Sequence, residues 1–142
     1  MNDFKEKFNI EQLTIKKVGS WIISLRPAQV TLGSLILSLD RACEDIGDLT
    51  SKESQELGLA FQVIKDLYMK SFRPDKVNYL LLMMVDKQVH FHVIPRYEKK
   101  ISFQAIEFED AFWPKPVDIL SSLAIEESLL LEIKDHLQHV VI

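Results

Sequence analysis

The sequence contains one cysteine, Cys43, and only four glycines and five prolines in 142 residues. A single cysteine excludes an intrachain disulfide framework and fits a reducing compartment, where a buried, inert thiol is the ordinary reading. So little Gly and Pro, with no low-complexity segment, linker or internal repeat, excludes a fibrous or disordered chain. No apolar run approaches the length of a membrane span. Met1 to Lys17 is charged and polar and lacks the uninterrupted apolar stretch of a signal peptide, so the expected setting is the cytoplasm, away from membranes. An excess of positive charge is missing as well. The formal net charge of −4 gives no general attraction to nucleic acid, although it is compatible with a local basic site for a phosphate. Apolar residues, by contrast, make up 47% of the chain, enough at this length for one domain with its own core over residues 1–142.

Read in order, a short polar lead carries Phe4 and Phe8, then Leu13 to Val18 alternates and Gly19-Ser20 offers a turn into Trp21-Ile22-Ile23-Ser24-Leu25, the pattern of a hairpin. Arg26 to Gly33 interrupts it before Ser34 to Leu39 resumes a strand, with Gly33 supplying a backbone conformation or close approach that a side chain would prevent. Thr50-Ser51-Lys52-Glu53 has the spacing of a capping box. Leu57, Ala60, Phe61, Ile64, Leu67, Tyr68 and Phe72 follow at helical steps, predicting an amphipathic helix to about Phe72 whose stripe packs on a sheet. Val77 to Val85 is a nearly continuous apolar run, which predicts a central strand buried on both faces, and Asp86-Lys87 a two-residue turn out of it. Ile101 to Phe108 reads as a further strand or irregular wall, Trp113 to Pro116 as irregular, and the region from about Ala124 as a second amphipathic helix.

The most informative stretch is Gln88-Val89-His90-Phe91-His92-Val93-Ile94-Pro95-Arg96-Tyr97. As a strand it places Gln88, His90, His92 and Ile94 on one face and Val89, Phe91 and Val93 on the other, so the apolar side lies on a core and the imidazole side is left for a cleft. Pro95, with no N–H, ends the strand or sits at its edge. By itself His-x-His is a weak signal, and an arbitrary pair is most often solvated or bonded to backbone. Zinc would require at least one more protein ligand, and no HExxH, CxxC or Cys/His cluster supplies it, so no metal site is expected. The third reading is covalent catalysis at phosphorus, with one imidazole as nucleophile and its neighbour steadying phosphate oxygens.

Gln88 to Arg96 resembles the signature of the histidine triad (HIT) superfamily, in which three histidines alternate with hydrophobic residues along the active-site strand. Leu25-Arg26-Pro27, Leu32-Gly33 and the helix after Leu49-Thr50 extend the likeness over roughly residues 10–110, with 111–142 as a C-terminal extension. The resemblance implies an α+β fold: a half-barrel antiparallel sheet of about five strands, a long helix packed on one face and a C-terminal helix. It also implies a homodimer, for which the Trp, Phe and Leu of 101–142 are expected to supply apolar surface. Its nearest sense is a bacterial dinucleoside polyphosphate hydrolase working through a nucleotidyl-histidine intermediate. The alternatives are a nucleotide-binding or regulatory protein with weak or no turnover, and a nucleotidyl transferase.

Carried over position by position, the resemblance makes His90 the nucleophile and His92 a phosphate contact, and puts Gln88 where the first histidine stands, still able to donate to phosphate but unable to titrate. Arg96 is a further phosphate candidate. Trp21, Ile23, Arg26 and Ser34 are the expected nucleoside contacts, Arg26 standing near a position often held by a ribose-binding asparagine. No cofactor is expected, a divalent cation entering, if at all, with the substrate phosphates.

Overall fold

A computed structural model describes residues 1–141; Ile142, the last residue of the expected domain, lies outside the described residues. Five strands, β1 (Thr14–Val18), β2 (Trp21–Leu25), β3 (Leu35–Leu39), β4 (Lys76–Leu80) and β5 (His90–Arg96), form one antiparallel sheet in the order β1-β2-β3-β5-β4. Paired residues of neighbouring strands point to the same side, so the register fixes two faces. Trp21 opposes Leu39, Ile23 opposes Leu37 and Leu25 opposes Leu35, while Leu37 and Leu35 oppose Phe91 and Val93. The intervening positions, Ile22, Ile36, Ser38, His90 and His92, make the other face.

The apolar face is covered as its pattern requires. Helix α3 (Ser51–Met69) lays Ala60, Ile64, Leu67 and Tyr68 on it, and helix α4 (Glu127–Val140) adds Ile133 and Leu137 to the same core, so the C-terminal part belongs to the packing of the sheet. The expected capping box is present: Thr50 Oγ1 accepts from the Glu53 N–H at 3.1 Å and Glu53 Oε1 from the Thr50 N–H at 2.8 Å. Glu53 also receives the Arg41 guanidinium at 2.6 and 2.8 Å, and its carbonyl accepts from Trp21 Nε1 at 2.9 Å, tying the start of α3 to the sheet. Gly33 adopts φ +88°, and a Cβ there would run into the ring of Phe72.

Several elements differ from the pattern. The polar lead is two short helices, α1 (Asn2–Lys7) and α2 (Ile10–Leu13), which with Phe4, Phe8 and Ile10 cover the imidazole face of the sheet. The apolar run at 77–85 is not a central strand. β4 lies at the sheet edge and stops at Leu80, and residues 81–89 form a loop that leaves Met84 and Val85 largely exposed. The apolar side chains of Leu82, Met83, Met84 and Val85 line a cavity instead of the inside of a sheet. β5 therefore begins at His90, two residues later than the alternation suggested, and it runs through Pro95. The proline is tolerated because the ladder with β3 ends at Val93, leaving only β4 beside it. The 101–108 stretch is a hairpin of its own, β6 (Ile101–Phe103) with β7 (Ile106–Phe108). No described helix is long and apolar enough to cross a membrane.

The Arg41 ion pair, then the Thr50 N–H, hold the Glu53 carboxyl at about 2 against an ordinary 4.5. A carboxyl depressed in this way lends stability above pH 4.5 that is lost as pH falls toward 2. Glu53→Gln should flatten part of the loss of thermal stability across that window; an acid profile identical to that of the natural protein would remove the ion pair from the account.

Candidate functional site

β5 lies between β3 and β4 with its imidazoles on the face away from α3, and a cavity of about 560 Å³ opens over them. His90 and His92 form its floor, with ring centroids 4.9 Å apart. Phe8 and Lys7 close one side, the 82–86 loop another, and Pro27, Ala28 and the 119–121 segment a third. The Lys7 ammonium meets Asp86 at 2.7 Å, fastening α1 to the loop across from it. Phe4 and Phe8 stand against the His90 ring at centroid distances of 4.9 and 5.8 Å.

The hydrogen bonds fix both imidazoles chemically. His90 Nδ1 lies 2.5 Å from the Gln88 carbonyl, which can only accept, so Nδ1 carries the proton and Nε2 keeps a lone pair. His92 is held the other way round: its Nδ1 accepts from Arg26 Nε at 3.3 Å, leaving the proton on Nε2 as a donor. Burial lowers the pKa of His90, opposed by its bond to the Gln88 carbonyl. Burial, then the Arg26 charge, then His90 push His92 down to about 4. The pair is therefore neutral at neutral pH, one ring offering a nucleophilic nitrogen and the other an N–H.

Of the residues singled out in the sequence, the structure brings His90, His92 and Arg26 to the cavity. The others go elsewhere. Gln88 is expected to contact phosphate, but its Nε2 donates to the Leu39 and Arg41 carbonyls at 2.9 and 2.7 Å and its Oε1 accepts from the Cys43 N–H at 3.2 Å. Because it lies in the loop before β5, the strand alternation does not apply to it, and its side chain is committed to main chain. Arg96 does share the face of His92, but it forms a buried two-pronged ion pair with Asp110 at 2.7 and 3.3 Å and also binds Asn78 and the Lys115 carbonyl, so it is not free for a phosphate. Trp21 and Ile23, expected as a wall for a nucleoside, are fully buried on the opposite face beneath α3. Ser34 is a loop lock, donating to the Thr31 carbonyl at 2.7 Å and accepting from the Thr31 N–H at 3.1 Å. Among the described residues, no three His, Cys, Asp or Glu side chains cluster to hold a metal.

Phe4 and Phe8, which read in the sequence only as part of a polar lead, and Lys7 between them are further site residues, and their spacing of three to four residues is the signal of one helix face. Ile119 and Leu120 line the cavity from irregular chain and carry no periodic signal.

No protein-family model matches the sequence, and no curated protein does. Solved structures do match. A histidine triad (HIT) protein from Sinorhizobium meliloti 1021 is 20% identical, with 98% of this chain and 94% of that one covered at a TM-score of 0.75. A histidine triad protein from Marinobacter aquaeolei VT8 is 21% identical over 96% and 93% at 0.73. The fold is that of the histidine triad proteins. A hypothetical histidine triad nucleotide-binding protein from Sulfolobus tokodaii strain 7 shares it as well, at 14% identity over 91% and 83% and a TM-score of 0.69. With the histidine triad fold in place, what the site does rests on its own residues.

Gln88→Ala should cost about 1–3 kcal/mol in denaturant unfolding, because it strands buried main-chain groups at 39, 41 and 43. A change within experimental error would show that these groups find other partners.

Proposed function

We propose that the chain is a nucleotide hydrolase that cleaves dinucleoside polyphosphates or related nucleotidyl substrates through a nucleotidyl-histidine intermediate. The observation that carries this reading is the opposed fixing of two neutral imidazoles at the floor of one cavity, His90 with a free Nε2 and His92 with an Nε2–H. The histidine triad fold supports it, as does the nucleotide-binding relative from Sulfolobus tokodaii.

In the first step the His90 Nε2 lone pair forms an N–P bond to the α-phosphorus as the P–O bond to the leaving phosphate breaks, the electron pair departing with that oxygen. The resulting imidazolium keeps its Nδ1–H on the Gln88 carbonyl, which stabilises the positive charge. His92 Nε2–H donates to a non-bridging oxygen as charge gathers there, and being neutral it brings no competing proton equilibrium. A water oxygen then attacks phosphorus, the N–P pair returns to Nε2, and the water proton passes to solvent. Leu82, Met83, Met84, Val85 and Leu120 give the base an apolar surface, as in pockets that bind flat heterocycles with few polar groups. No resident cofactor is required by these steps.

A specific observation favours a second reading, a nucleotide-binding protein with weak or no turnover. With the Gln88 side chain sealed against main chain, the cavity floor has no third imidazole to protonate a poor leaving group. The readings separate on labelling: a rapid acid-sensitive assay with an α-³²P dinucleoside polyphosphate should mark the natural protein and leave His90→Ala blank, with turnover lower by a factor on the order of 10⁴ or more. Binding without label in the natural protein would leave the second reading standing.

A homodimer belongs to the proposal too, although on different surface from the one expected. Of the large apolar side chains of 101–141, Ile106 and Leu120 are exposed, whereas β4 is a free sheet edge carrying exposed Tyr79 beside Phe61 of α3. An uncovered edge strand is a ready template for pairing. Light scattering after size exclusion is expected to give twice the 16.5 kDa chain mass; a single-chain mass at high concentration would remove the dimer.

A further inference from the structure

His90 carries the reaction proposed above, yet it is 1% exposed. A displacement at phosphorus needs the attacking nitrogen at roughly 3–3.5 Å, with the leaving oxygen in line behind the phosphorus and the other three oxygens spread around it. No group of that size reaches a ring so enclosed, so part of the cover has to move. His92 and the neighbouring strands are held in the sheet. The cover that is not part of the sheet is α1, whose Phe4 and Phe8 rings stand against His90 at 4.9 and 5.8 Å.

The two N-terminal helices are attached in different ways. Ile10 and Leu13 anchor α2 in the interior, and the Thr14 hydroxyl donates to the Ile10 carbonyl at 2.6 Å. Between the helices Asn9 takes φ 48° and ψ 44°, the left-handed conformation that asparagine tolerates, so the chain turns there and α1 does not continue into α2. Among the described residues, no main-chain hydrogen bond joins residues 1–8 to the sheet. Their polar ties are two ion pairs at the surface, Lys5 with Asp40 at 2.8 Å, just past the end of β3, and Lys7 with Asp86 at 2.7 Å, in the loop before β5. Pairs so exposed hold little, and what keeps α1 down is the burial of Phe4 and Phe8. An element tied in this way can open locally while the sheet stays intact.

We propose that residues 1–8 are a hinged cap that closes His90 off in the resting protein and swings about Asn9 to admit a substrate, giving up the Lys5 and Lys7 ion pairs as it lifts. The cap is autoinhibitory: the same rings that keep water from the imidazole also keep substrate from it. The proposal rests on the reading of His90 as the attacking group and adds that access to it is gated. Asn9 is the hinge, an element-terminal residue that absorbs the change in backbone angles.

Two measurements on the full chain test it, amide hydrogen exchange and the rate at which diethyl pyrocarbonate modifies each histidine, read by peptide mass. The amides of Lys5 and Phe8, bonded inside the first turns of the chain, are expected to exchange at least ~100-fold faster than those of β5. His90 is expected to react roughly 10–1000-fold more slowly than the exposed His139, as a site does whose open form is a minor state. Lys5→Met cuts the tie to Asp40 without touching the cavity, and should raise both rates by the same factor of about two to five. Asp40→Asn, from the other side of the same pair, should match it. Exchange at residues 5–8 as slow as in β5, His90 as reactive as His139, or a Lys5→Met protein in which the two rates do not rise together would each overturn the cap. Loss of the nucleotidyl reading looks different: no α-³²P label appears on His90 although both rates behave as stated, whereas failure of the cap leaves that labelling in place.

Discussion

Three hydrogen bonds from one side chain hold the site in register. Gln88 reaches the main chain at residues 39, 41 and 43, clamping the loop before β5 to the segment leaving β3. A loop carbonyl wanders unless its neighbours are fixed, and the carbonyl of Gln88 is the one to which His90 Nδ1 is bound. The side chain therefore acts on the chemistry through its own backbone: it immobilises the acceptor that determines which nitrogen of His90 keeps a lone pair. A residue that looks like a lost catalytic group in the sequence is a support for the one that remains.

The sheet divides the labour between its faces. On one, Trp21, Ile23, Leu35, Leu37 and Val93 meet α3 and α4 in an apolar core, crossed by the bond from Trp21 Nε1 to the Glu53 carbonyl. On the other, a smaller cluster of Phe4, Phe8, Ile10, Ile22 and Ile36 brings apolar surface up to two imidazoles. This second cluster withdraws His90 and His92 from water and so keeps them neutral. Arg26 reinforces the effect on His92 by adding a like charge to the cost of protonation.

Much of this was legible beforehand, where a period or a short-range rule applied. The hairpin of β1 and β2, the capping box at Thr50 and the stripe of α3 all rest on local spacing and are where the spacing put them, except that α3 ends at Met69 and Phe72 reaches the core from the turn beyond it. The five-stranded antiparallel sheet with helices packed on it follows the resemblance. What failed did so where tertiary contact overrides pattern. The apolar residues after Leu80 serve a cavity and not a strand. Gln88 escapes the alternation because β5 starts after it, and Trp21 and Ile23 sit one residue out of phase with the imidazole face, which Ile22 shares instead. The partners of Arg26 at Ala28 and Ile119, the second of them 93 residues away, leave no trace in local sequence.

The cover over the imidazoles has a kinetic side. A six-residue helix such as α1 has too few internal bonds to persist alone, so it is helical only while it rests on the sheet. Its partners are made late, since Lys7 and Asp86 are 79 residues apart and the ribosome delivers the roof well before the walls. Residues 1–8 can pack on Ile22 and Ile36 of β2 and β3 first, but their contacts with His90 and Asp86 form only once β5 has entered between β3 and β4, so the cavity is enclosed no earlier than that step.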